Sequence, residues 1–203
     1  LGYWIDLDDP DFQAFEAGIL QDLHDRAAEC CARLTADGYP LTMADLLTEN
    51  PRYGGLMQIV QAVQRKGYAA HWDEAAPLVF DCWHEVRPSR LTIERAIAEI
   101  RRAGGVAILA HPTAVKCSGH WIDEGQLAQL VEWGLDGIEI YHRRLDERAR
   151  AYFGTLAEQF NLLIGGGSDF HGWWEGDRQI GTQPITGAMV EAIRARHRER
   201  IGG

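Results

Sequence analysis

An acid and an imidazole separated by one residue, Asp169 and His171, stand in the run Gly165-Gly166-Gly167-Ser168-Asp169-Phe170-His171-Gly172. The run follows an apolar segment, Asn161-Leu162-Leu163-Ile164, that reads as a buried strand. In extended chain, residues two apart project to the same side, so this spacing aims both groups at one place. A carboxylate and a neutral imidazole at the C-terminal end of a strand are donors for a divalent metal. The flanking glycines permit a sharp turn and close approach of a ligand. The structural alternative is an Asp-His hydrogen bond that only caps the strand.

Two further segments share this layout. Gly104-Gly105-Val106-Ala107-Ile108-Leu109-Ala110-His111-Pro112 is a glycine turn, an apolar strand and then a ligand-type side chain. Pro112 has no N–H to continue a ladder, so the strand stops just past His111. In Gly134-Leu135-Asp136-Gly137-Ile138-Glu139-Ile140-Tyr141-His142, strict alternation places Glu139 and Tyr141 on one face. Ile138, Ile140 and His142 fall on the other. Three strands ending in His, His and Asp-x-His are expected to converge at one mouth of a parallel barrel or sheet, where sites of such folds collect.

The Ala110-His111-Pro112 element, the Gly-Leu-Asp-Gly-Ile-Glu-Ile-Tyr stretch and the Gly-Gly-Ser-Asp-Phe-His-Gly element, in this order, resemble the polymerase and histidinol phosphatase (PHP) superfamily. The branch it resembles is that of small bacterial metal-dependent phosphoesterases. Those act on nucleotides, on nucleoside 3′,5′-bisphosphates, or on short RNA from the 5′ end. The resemblance implies an α/β fold, an incomplete distorted (β/α)7 barrel carrying a helical insertion lobe. It implies divalent ions, manganese, zinc or iron(II), up to three in a complete site. His111, Asp169 and His171 would be metal ligands, with Asp169 and His171 at the catalytic centre.

The family's N-terminal His-x-His is absent, as are the Asp and His that follow it and the metal-bridging Glu. The sequence therefore reads as the C-terminal two-thirds of such a protein, beginning just past a metal-binding His; a natural remnant is the alternative. One protein ligand per ion does not hold a trinuclear cluster, since such sites need about three or more each. The chain by itself is expected to be catalytically incompetent. Two other readings compete with the phosphoesterase: an amidohydrolase-type metallohydrolase with Asp169 as general base, and a degenerate PHP-like binding domain.

The elements that must position these residues fall into zones. Residues 1–7 read as a remnant of the N-terminal barrel part, 8–86 as the helical lobe and 87–203 as the C-terminal βα part. Helical patterns cover 8–34, 41–47 with Thr42 as N-cap, 56–65 and 73–80. From 92 onward helices 92–102, 124–133, 146–159 and 187–200 alternate with strands 106–110, 137–141 and 161–165, a βα series of parallel strands. Within the lobe, relatives carry a Gly-Arg-x-His element that holds substrate phosphate. Pro51-Arg52-Tyr53-Gly54-Gly55 keeps the Arg and lacks the His. Relatives also show Tyr-Tyr-Pro-x-His where this chain has Tyr141-His142-Arg143-Arg144. Arg52, His142 and Arg143 are accordingly candidate substrate-binding residues. The other histidines, His24 and His197 among them, read as surface imidazoles, and Trp173-Trp174 as packing or a stacking wall.

Composition sets limits. With 203 residues and 46% apolar content, the chain can bury a sizeable core. The formal net charge of −10 disfavours a broad grip on nucleic acid and any extended DNA binding. A small phosphorylated nucleotide or short RNA remains suitable, because metal ions can supply the positive field. No membrane-length apolar run or signal peptide is visible. The four cysteines include the adjacent pair Cys30-Cys31, an isolated Cys82 and no Cys-x-x-Cys, as expected for incidental thiols in a reducing cytoplasm.

Overall fold

The computed structural model describes residues 1–48, 51–114, 116–117, 120–170 and 179–202. In chain order they form β1 (Gly2–Tyr3), α1 (Pro10–Ala36), α2 (Met43–Leu46), α3 (Leu56–Arg65), α4 (Trp72–Glu85) and α5 (Ile93–Arg102). There follow β2 (Val106–Leu109), β3 (Lys116–Cys117), β4 (His120–Trp121), α6 (Glu124–Glu132), β5 (Gly137–His142), α7 (Glu147–Gln159), β6 (Leu163–Gly167) and α8 (Gly187–Ile201). The fold is mixed α/β. It divides into two compact units, Leu1–Phe12 with Ile93–Gly203, and Gln13–Thr92. Among the described residues no helix is long and apolar enough to cross a membrane.

The unit Gln13–Thr92 is helical. α1 ends where Gly38 turns left-handed (φ 94°), a conformation that costs a glycine little. Thr42 opens α2, and its N–H and hydroxyl both donate to Asp45 Oδ2 at 2.8 Å. Leu34, Ile59, Val60, Val63 and Val79 are buried together, so these helices share one core.

In the other unit, β1, β2, β5 and β6 form one sheet in that spatial order. β1 runs antiparallel to β2, while β2, β5 and β6 are mutually parallel. Both faces are covered. Ala107, Ile138 and Ile140 pack with Ile97 of α5, Leu127 of α6 and Phe153 of α7. Val106 and Ile108, on the opposite face of β2, pack with Ile193 of α8. That two-sided burial explains why the strands read as nearly continuous apolar runs.

Asp136, just ahead of β5, ties the N-terminal ends of the parallel strands together. Its Oδ2 accepts the Ala107 N–H at 2.9 Å, its own N–H donates to Ala107 O at 2.9 Å, and its carbonyl accepts the Leu163 N–H at 2.9 Å. Three guanidiniums converge on its carboxylate: Arg101 of α5 at 3.2 Å, and Arg196 and Arg200 of α8 at 3.1 and 2.7 Å. The basic closing helix is therefore stapled to the sheet through one buried acid.

β6 differs from the expected strand 161–165. It starts at Leu163, because Asn161 is left-handed (φ 51°) at the end of α7, and it runs through all three glycines. Those glycines are strand, not turn. A side chain on Gly166 would strike the Tyr141 carbonyl oxygen and come within 2.7 Å of Ile185 Cδ1. Glycine is needed there for close packing of β6 on β5.

Candidate functional site

Because β2, β5 and β6 are parallel, their C-terminal ends lie along one edge of the sheet, and three of the singled-out side chains meet there. His111 follows β2, His142 closes β5 and Asp169 follows β6. The His111 and His142 rings are 5.5 Å apart between centroids, and His142 Nε2 is 3.9 Å from Asp169 Oδ2. His171 lies outside the described residues, as do Trp173 and Trp174.

The backbone is strained at this edge. His111 has φ 29° and Asp169 has φ 59°, both in the left-handed region that residues with a Cβ seldom occupy. Strain of this kind costs on the order of 1–3 kcal/mol per residue and clusters at functional sites. It also corrects the extended geometry expected around Asp169: the loop turns at the acid itself, so alternation does not set its direction.

Glu139 was not among the expected site residues, yet it belongs to this cluster. Alternation placed it on the face opposite His142. The β5–β6 register slips instead: Glu139 pairs with Gly165 and Tyr141 with Gly166, leaving Ile140 as the extra residue of a bulge. The slip resets the parity, so both Glu139 and His142 reach His111. The His111 N–H donates to Glu139 Oε2 at 2.8 Å, which holds the strained residue in place. Burial raises the Glu139 pKa, the bond from His111 and the His111 charge oppose this, and Asp169 adds to the rise. The only sequence sign of Glu139 was an acid inside an otherwise apolar strand.

His142 is almost wholly buried, and its Nδ1 accepts the Arg144 N–H at 3.1 Å. In the neutral ring the proton then sits on Nε2, which has no hydrogen-bond partner among the described residues. Nε2–H is thus a donor directed toward Asp169 and the strand ends. Burial pushes the His142 pKa down to about 4 from 6.5. A depressed imidazole pKa stabilises the fold above 6.5, and that contribution is lost as pH falls from 6.5 toward 4. NMR titration is expected to find His142 neutral at pH 5.5, and His142→Gln should flatten the fall in melting temperature across this window. Titration near 6.5 would mean the ring is solvated. Glu139, with its raised pKa, contributes in the opposite sense, losing stability as pH rises through its folded value, so the comparison requires the variant.

The donor chemistry suits a divalent cation. His111 Nδ1 is buried with no hydrogen-bond partner among the described residues, a lone pair that an ion would satisfy. Among the described residues, however, no three His, Cys, Asp or Glu side chains gather at a spacing that would hold a metal ion. Arg143 lies in the turn immediately after β5, half-buried. Arg52, in the helical unit, is paired with Glu16 at 2.5 Å. Two histidines expected to be plain surface groups have partners: His24 Nε2 lies 3.1 Å from Arg52 O. His197 Nδ1 lies 2.8 Å from Gly104 O, with its ring stacked 5.9 Å from Trp4.

No family model matches the chain. Over 86 residues it is 36% identical to a 5′-3′ exoribonuclease of Haemophilus influenzae, a match covering 41% of this chain and 31% of that protein. Over 99 residues it is 36% identical to a phosphoribosyl 1,2-cyclic phosphate 1,2-diphosphodiesterase of Eggerthella lenta, covering 48% of this chain and 32% of that one. The chain thus matches under a third of the length of these curated relatives. A solved structure from Bifidobacterium adolescentis, described as a metal-dependent phosphoesterase, aligns with a TM-score of 0.81 at 25% identity. That alignment covers 95% of this chain and 68% of the other. Together these likenesses support a PHP-type phosphoesterase.

Proposed function

We propose that this chain carries part of the active site of a PHP-type metal-dependent phosphoesterase, acting on phosphate esters of nucleotides, nucleoside 3′,5′-bisphosphates or short RNA. The observation that carries the reading is the meeting of His111, His142, Glu139 and Asp169 at one sheet edge, with backbone strain at His111 and Asp169. The four-stranded sheet is read as part of a distorted (β/α)7 barrel, and the helical segment 8–86 as an insertion lobe that contains Arg52.

His111, Asp169 and His171 are the proposed metal ligands. Divalent ions held by these residues would supply Lewis acidity toward the phosphate ester and offset its charge. Glu139 positions His111 through its backbone N–H. His142, neutral and carrying its proton on Nε2, donates to a phosphate oxygen. Arg143 adds guanidinium charge toward the substrate phosphate, and Arg52, in the helical unit, is kept as a separate candidate for a phosphate contact. Asp169 and His171 hold the reacting centre in register.

Calorimetric titration of this chain with Mn²⁺ or Zn²⁺ tests the site. Weak binding is expected, lost in His111→Ala, with little phosphatase activity, because each ion has few protein ligands. Tight binding of three ions would overturn the assignment of ligands. Binding indifferent to His111 would remove this edge of the sheet from the proposal.

A further inference from the structure

Cys82, isolated in the sequence, meets Cys30 in space. Cys30 lies on α1 and Cys82 on α4, and their Sγ atoms are 3.0 Å apart inside the helical unit. Two contacts pin the helices on either side of the pair. Arg26 sits 4.3 Å over the Trp83 ring, and Arg33 pairs with Glu85 at 3.3 Å. The sulfurs are therefore held facing each other, about 1 Å beyond disulfide bond length.

We propose that Cys30 and Cys82 are an oxidative modification site, a thiol pair that a peroxide converts into a disulfide joining α1 to α4. Exposure orders the two steps, since Cys82 is 8% accessible and Cys30 is fully enclosed. The Cys82 thiolate attacks the peroxide O–O bond, giving a sulfenic acid while the second oxygen takes up a proton and leaves as water. The Cys30 sulfur then attacks Cys82 Sγ. The S–S bond forms, the S–O bond breaks, and the thiol proton leaves with the oxygen as a second water. Two thiols are oxidised by two electrons and one peroxide is reduced. Burial raises the Cys30 pKa, which keeps it a thiol until the sulfenic acid is beside it. The bond would close a long loop that contains Arg52, so it would stiffen that segment and constrain the unfolded chain.

The test treats the folded chain with hydrogen peroxide, blocks remaining thiols by alkylation and maps peptides without reduction. Two of the four thiols should be lost. A cross-linked peptide pair lighter by two hydrogens should appear, and the melting temperature should rise until dithiothreitol restores it. Cys30 and Cys31 share one tryptic peptide, so Cys31→Ser must leave the cross-link and Cys82→Ser must abolish it; Cys82→Ala serves if the serine variant unfolds. Retention of all four thiols under peroxide that oxidises the urea-unfolded chain would overturn the proposal. So would a cross-link through Cys31 or Cys117, or over-oxidation to sulfinic acid without a cross-link.

Discussion

On the proposed function, and with a PHP-type His-x-His segment joined to the chain, Asp169→Asn is expected to reduce phosphoester hydrolysis by orders of magnitude without unfolding the protein. The reasoning separates charge from shape. Asp169 sits at φ 59°, where asparagine is tolerated about as well as aspartate, so the substitution leaves the turn intact. It removes the carboxylate charge that a divalent ion requires. Metal content by elemental analysis should fall with activity, while the circular dichroism spectrum and melting temperature change little. His171→Ala should act in the same way by deleting a proposed imidazole ligand. Near-normal turnover with metal still bound in either variant would reduce the likeness to one of fold alone.

Asp136→Ala is expected to destabilise the sheet unit by about 3–5 kcal/mol, the usual cost of removing one partner from a buried ion cluster. Against a typical total of roughly 5–15 kcal/mol this decides whether the unit stays folded. Asp136 is 1% exposed and binds Arg101, Arg196, Arg200 and the Ala107 N–H. Truncation leaves the Ala107 N–H buried without that acceptor and frees α8 from the sheet. Burial alone would raise the Asp136 pKa, but the bonds from Arg200, Ala107 and Arg196 outweigh it and hold it low. Its stabilisation is therefore present above the ordinary carboxylate pKa and is lost as pH falls below it. Urea unfolding near neutral pH should show the loss. A change below about 1 kcal/mol would mean that the arginines are satisfied equally well by solvent.

Much of the architecture was legible in the sequence because its signals are local. Glycine turns, apolar runs and terminal Pro112 marked β2 and β5, and 3.6-residue periodicity marked the helices, since burial of one face acts on each element separately. The order of ligand-type residues at strand ends pointed to the cluster of His111, His142 and Asp169 for the same reason: parallel strands bring their C-terminal ends to one edge. What tertiary structure alone decided depends on partners distant in sequence. Alternation placed Glu139 away from His142, but the bulge at Ile140 arises from pairing with β6 and reversed that parity. Asp136 was assigned no role from the sequence, and three arginines from α5 and α8 close on it in the fold. Cys82 looked isolated because sequence separation hides the packing of α4 on α1. In each case the local pattern stated what a side chain was able to do, and the fold chose its partner.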